Sequence, residues 1–183
     1  MNRRKLIGVI AAAVVLVAVA GVAVWRFAFW QPSVQEVNIA SSEAMGASVS
    51  SSEDGGKVSI DREAYKDSTP QRGDIVAICA PEGDEEDAEV RLIIRRVLAT
   101  AGQTVQIDSG LLAVDDTYIE EKYLAEGTKT KKAKGSQVTY PYTVPDGYVW
   151  VMCDLRDNTD DSRTFGAVPL QNIAGKVKAA DED

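Results

Sequence analysis

The stretch LIGVIAAAVVLVAVAGVAVW, residues 6–25, carries no charge. At helical rise, ~20 residues cover about 30 Å, the hydrocarbon thickness of a bilayer. The run therefore predicts one transmembrane helix inside an anchor at residues 1–30. Arg3, Arg4 and Lys5 precede it, and Trp25, Phe27, Phe29 and Trp30 cluster at its far end. That is the order of a cytoplasmic cationic flank and an interfacial aromatic belt, so residues 31–183 are expected on the extracytoplasmic side, tethered to membrane lipid by the helix. The rival reading is a cleaved secretory signal, because Ala18, Ala20 and Ala23 offer small residues near a cleavage site. The length of the run and its bulky aromatic end favour the retained, single-pass anchor.

With 183 residues, the chain has room beside the anchor for one domain with a real core. The net charge is -8, and several of the cations lie in the anchor. Nucleic-acid binding is not expected, since phosphate neutralisation needs an excess of Lys and Arg. There is no histidine, which removes the commonest general base and the commonest metal ligand; no cofactor is expected. Cys79 and Cys153 lie in separate apolar stretches without metal-type spacing. Two buried thiols are favoured over a disulfide.

Beyond residue 30 the pattern is of strands. VQEVNI alternates, and KVSI, GDIVAICAP, EVRLIIRRVLA, QTVQIDSG, LLAVDD and YVWVMCDL are β-branched or apolar runs punctuated by Gly, Pro and Asp. The fold class expected is mainly β. Ala40 to Lys57, rich in Ser and Gly, reads as a mobile loop. Pro81 to Glu89 reads as an acidic hairpin tip, and Thr128 to Gly135, TKTKKAKG, as an exposed basic loop in an acidic domain.

Three blocks after the Ser-rich loop resemble type I signal peptidases, membrane-bound Ser/Lys proteases that remove signal peptides. QRGDIVAICAP (residues 71–81) is similar to the family's R-G-D-I-V strand. LIIRRVLATAGQTVQIDSGLLAVDDTYIEEKYL (residues 92–124) resembles I-K-R-V-x-G-x-P-G-D-x-V and its hairpin. VPDGYVWVMCDLRDNTDDSRTFGAVPLQNIAGKV (residues 144–177) resembles V-P-x-G-x-x-F-V-x-G-D-N-R-x-N-S-x-D-S-R-x-F-G-x-V with the closing I-x-G-K. The resemblance implies a signal-peptidase-like β-rich domain at residues 31–183 behind the anchor.

Carried over residue by residue, the resemblance gives EAMGAS, residues 43–48, the family's S-M-x-P-T motif. Ala44 then stands at the nucleophile position, followed by the retained Met45, and Arg95 stands where the family has its lysine base. A guanidinium stays protonated and accepts no proton from a nucleophile, and losing a catalytic nucleophile alone costs on the order of a millionfold in turnover. Further departures are Ala101-Gly102-Gln103 for P-G-D and Cys153-Asp154-Leu155 for G-D-N. Asp161 and Arg163 match the D-S-R ion pair, Thr159 the hydroxyl that supports the base, and Ser42 a position that in some members donates to the oxyanion. The expectation is a non-catalytic homologue that binds or assists the assembly of secreted or pilin-type precursors. The alternative is an active, divergent signal peptidase using Ser42 or Ser48.

Overall fold

The stretch EVRLIIRRVLA, apolar and β-branched except for Glu89 and three arginines, becomes an interior strand of the domain's larger sheet, with Arg95 and Arg96 buried among its apolar residues. The computed structural model describes residues 34–38, 42–49, 57–82 and 89–178. The anchor expected at residues 1–30 and the middle of the acidic turn, residues 83–88, lie outside the described residues. Among the described residues no helix is long and apolar enough to cross a membrane.

The strands are β1 (Val34–Asn38), β2 (Lys57–Asp61), β3 (Ile75–Glu82), β4 (Glu89–Thr100), β5 (Thr104–Asp108), β6 (Leu111–Val114), β7 (Thr117–Tyr118), β8 (Tyr142–Thr143), β9 (Tyr148–Met152), β10 (Val168–Pro169) and β11 (Ile173–Val177); one short helix, α1, spans Ser162–Phe165. They form a seven-stranded sheet ordered β1-β2-β11-β3-β4-β9-β10 and a four-stranded sheet ordered β7-β6-β5-β8. All the pairings are antiparallel. The mainly β expectation holds, and each strand signal read from the sequence falls on an observed strand.

Side chains alternate across a sheet, and β4 distributes its residues accordingly. Ile94 joins Met45, Val58, Ile60, Ile75, Ala77 and Val177 in one cluster, whereas Ile93 and Val97 join Val76, Ile78 and Val151 on the other face. A third cluster joins the two sheets: Leu98, Trp150 and Met152 pack against Val105, Leu112 and Val114. Trp150 is fully buried, with the Tyr142 ring 4.8 Å and the Tyr140 ring 5.9 Å away.

The Ser-rich stretch corrects the sequence reading. Instead of a mobile loop throughout, Ser42–Ser48 folds as a kinked 3-10 segment, and β2 begins at Lys57. Ala44, Met45 and Val49 are buried, so a few apolar side chains inside a polar stretch hold it to the core. Cys79 and Cys153 are both free thiols, the first half-buried and the second buried.

Candidate functional site

The retained residues of the second and third blocks meet at the end of β9 through a set of arginine–carboxylate pairs. Arg163 donates from Nε and Nη2 to the two Asp161 carboxylate oxygens at 2.9 and 2.7 Å, with both side chains wholly buried. Asp161 also accepts from the Cys153 N–H at 2.9 Å and caps α1 by accepting from the Arg163 N–H at 2.9 Å. Arg96 makes a two-pronged contact with Asp154, at 3.0 and 2.7 Å, and its guanidinium lies 4.0 Å from the centre of the Tyr123 ring. Arg156 pairs with Glu121 and donates to Thr130 Oγ1 at 2.9 Å. Paired and hydrogen-bonded in this way, buried guanidinium groups fix a loop whose backbone would otherwise be irregular.

Arg95, on the face opposite Ile94, is held just as firmly. Its side chain is only 1% exposed; Nη2 donates to Asp160 Oδ2 at 2.8 Å, Nε to the Asp160 carbonyl at 2.6 Å, and Nη1 to the Ile94 carbonyl at 2.6 Å. Asp160 itself is 43% exposed. The hydroxyl of Thr159 makes no hydrogen bond to Arg95 among the described residues; the carboxylate next to it in sequence is the partner. Asp160 is the residue that sequence reasoning missed. Its signal was present as the doubled acid of T-D-D-S-R, but a contact spanning 65 residues is invisible without the fold.

Ala44, 3% exposed, accepts the Leu155 N–H on its carbonyl at 3.0 Å. Met45 is fully buried against Ile94. Gly46 adopts a positive φ of 54° at the kink, and a Cβ there would come within 3.3 Å of the Leu155 side chain. Ala44 is thus fastened to Leu155 and Arg95 to Asp160, two points on one loop, while Asp161 and Arg163 form the expected ion pair. Ser42 lies in the same 3-10 segment. Cys153, whose Sγ is 3.7 Å from the Asp160 carbonyl, has its thiol pushed up to about 12, first by burial, with nearby Arg95 acting in the opposite sense. A thiol so placed is not a nucleophile at neutral pH.

Two further features frame the site. On one edge β4 pairs with β3 from Glu89 to Arg96, but on its other edge β9 is paired only from Arg96 to Thr100. The Glu89–Arg95 stretch is therefore without a strand neighbour on that edge among the described residues. Beside Met45 and Gly46 opens a cleft of about 640 Å³ whose walls include Leu124, Lys129, Lys131 and Leu155. No group of metal-ligating side chains occurs among the described residues.

The family model for signal peptidase, peptidase S26, matches residues 6–180. A probable signal peptidase I-1 of Synechocystis is 34% identical over 126 residues, which is 67% of this chain and 60% of that protein. Thylakoidal processing peptidase 1 of Arabidopsis thaliana is 32% identical over 67% of this chain and 35% of its own length. The signal peptidase I of Bacillus licheniformis is 34% identical over 57% of this chain and 55% of its own. The chain thus spans between 35% and 60% of the length of these relatives. A crystal structure of a signal peptidase I from Enterococcus faecalis V583 matches with a TM-score of 0.49 and 26% identity, over 60% of this chain and 97% of that one.

Proposed function

This chain belongs to the signal peptidase family, peptidase S26, and from that premise we propose that it is a member that binds extended peptides without hydrolysing them. The observation that carries the reading is the β4 edge at Glu89–Arg95, which among the described residues has no strand neighbour there and runs into a guanidinium clamped by Asp160. An extended peptide adds to such an edge through backbone hydrogen bonds, which need neither a nucleophile nor a base. Hydrolysis by a Ser/Lys pair needs a hydroxyl and a neutral amine. Ala44 supplies no hydroxyl, and Arg95 is committed to a carboxylate and two carbonyls.

The occupant is the signal peptide or export segment of a secreted or pilin-type precursor. The apolar run at residues 6–25 supports a location at the membrane, with the domain on the face where such segments emerge. The test is a binding titration of the purified, detergent-solubilised chain with a labelled extended peptide carrying an Ala-x-Ala site. Saturable binding, weakened at least tenfold when alternate amides of the peptide are N-methylated, is the expected result. Binding indifferent to N-methylation, or absent, contradicts strand addition.

A second reading is an active peptidase with a divergent site. It is favoured by the relatives, each of which bears the name of a signal or processing peptidase, and by Ser48, half-buried in the same 3-10 segment as Ala44. It predicts cleavage that is lost on Ser42→Ala or Ser48→Ala.

A further inference from the structure

The basic island at Thr128–Gly135 borders the cleft beside Met45, and its lysines are presented rather than free to wave. Thr130 is buried: its N–H donates to the Gly110 carbonyl at 2.9 Å and its hydroxyl accepts from Arg156. The Lys131 carbonyl accepts from Arg163 at 3.3 Å. The stem of Lys129 lies against Gly110, where a Cβ would come within 3.2 Å of it, and the Lys132 ammonium sits 5.0 Å from the centre of the Tyr140 ring. Lys129, Lys131, Lys132 and Lys134 are exposed, and among the described residues none of them is in an ion pair.

The cleft that Lys129 and Lys131 line is concave and partly apolar. Leu155 presents 50% of its surface although its neighbours Asp154 and Arg156 are buried, and Leu124 and Gly46 complete that side. Of the acidic groups on the walls, Asp154 is engaged by Arg96, which leaves the exposed Asp157 against Lys129 and Lys131; Glu126, between Leu124 and Lys129, does not line the cleft. Positive charge therefore predominates here, in a protein whose net charge is -8.

We propose that this cleft is a docking site for an acidic peptide segment that carries an apolar side chain. The apolar side chain packs on Leu155 and Leu124, and the flanking carboxylates face Lys129 and Lys131. Charge complementarity selects the acidic partner, and the concavity favours a peptide over a flat lipid surface. The inference goes beyond the strand-addition reading: it names the chemistry of a segment bound at a second place, beside the 3-10 segment.

The experiment is an anisotropy titration of the full chain in neutral detergent with a fluorescein-labelled peptide in which one Leu is flanked by Asp and Glu. Its partner peptide has Asn and Gln in their place. The acidic peptide is expected to bind about tenfold more tightly at low salt, and to lose that advantage at about 0.5 M salt, where charges a few ångströms apart are screened. Lys129→Gln with Lys131→Gln should abolish the preference; Lys122→Gln, at an exposed residue paired with Glu120, should leave it intact. Equal affinity for the two peptides overturns the proposal, as does a preference that survives the double substitution. Lysine-dependent binding to phosphatidylglycerol vesicles with no peptide preference also overturns it, and assigns the lysines to a membrane surface. If the Ala-x-Ala peptide binds by its backbone and the acidic preference is missing, the cleft proposal alone falls. If the acidic peptide binds and the Ala-x-Ala peptide does not, the strand-addition reading falls and the cleft stands.

Discussion

At the scale of single residues, the site is organised by which carboxylate each buried arginine takes. Asp161 serves Arg163, the Cys153 N–H and the start of α1 at once, so removing it strands a wholly buried guanidinium. Asp161→Ala is expected to lower stability by about 3–5 kcal/mol, the cost of breaking a buried pair from one side, measured as the shift in a denaturant midpoint. Asp160→Asn should cost less, about 2 kcal/mol, because Asp160 is partly exposed and Arg95 retains two carbonyl acceptors. Equal effects from the two substitutions would contradict this ranking. The Asp161–Arg163 pair was legible through the resemblance of D-S-R to the family's motif. The Arg95–Asp160 pair was not, because nothing local couples a strand residue to a loop residue so far along the sequence.

At the scale of elements, the strands were legible because β-branched and apolar runs carry their own period, while the Ser-rich stretch misled through composition. Its polar majority suggested a mobile loop, yet Met45 and Val49 pack in the cluster that contains Ile94 of β4, and Ala44 beside them is buried. The closing I-x-G-K motif likewise has a packing reason. A Cβ on Gly175 would come within 2.4 Å of the Asp61 carbonyl oxygen and 2.8 Å of an Ile60 methyl, so β11 reaches β2 only with glycine there. Gly175→Ala is expected to destabilise by about 1–3 kcal/mol through overpacking, again read from a denaturant midpoint; an unchanged midpoint would contradict the close approach.

The lysine of the same motif ties β11 to the start of β3: Lys176 Nζ is 2.8 Å from Asp74, which also accepts from the Gln71 N–H at 2.9 Å and the Tyr65 hydroxyl at 3.0 Å. Burial acts to raise the Asp74 carboxyl, but these donors outweigh it and hold the group below the usual carboxylate range. A depressed folded value means that the stabilisation is present above the unfolded value of about 3.9 and is lost as pH falls through the folded one. Stability should therefore drop below about pH 4, and the drop should be shallower in Asp74→Asn. A pH profile identical in the two proteins would remove Asp74 from the account.

At the scale of the whole molecule, a mainly β domain of the signal peptidase family follows a charge-free stretch long enough to cross a bilayer. In the proposed function the domain keeps a peptide-binding edge while Ala44 and Arg95 remove hydrolysis. Asp160 adds a condition: a lysine at position 95 would meet its carboxylate, which favours the charged ammonium and works against a base. The most direct measurement is a cleavage assay on a preprotein with an Ala-x-Ala site. It compares the unaltered chain with Ala44→Ser plus Arg95→Lys, and with those two changes plus Asp160→Ala. The account predicts no product from the unaltered chain, little from the double variant, and product from the triple variant. Cleavage by the unaltered chain that is abolished by Ser42→Ala or Ser48→Ala would contradict it.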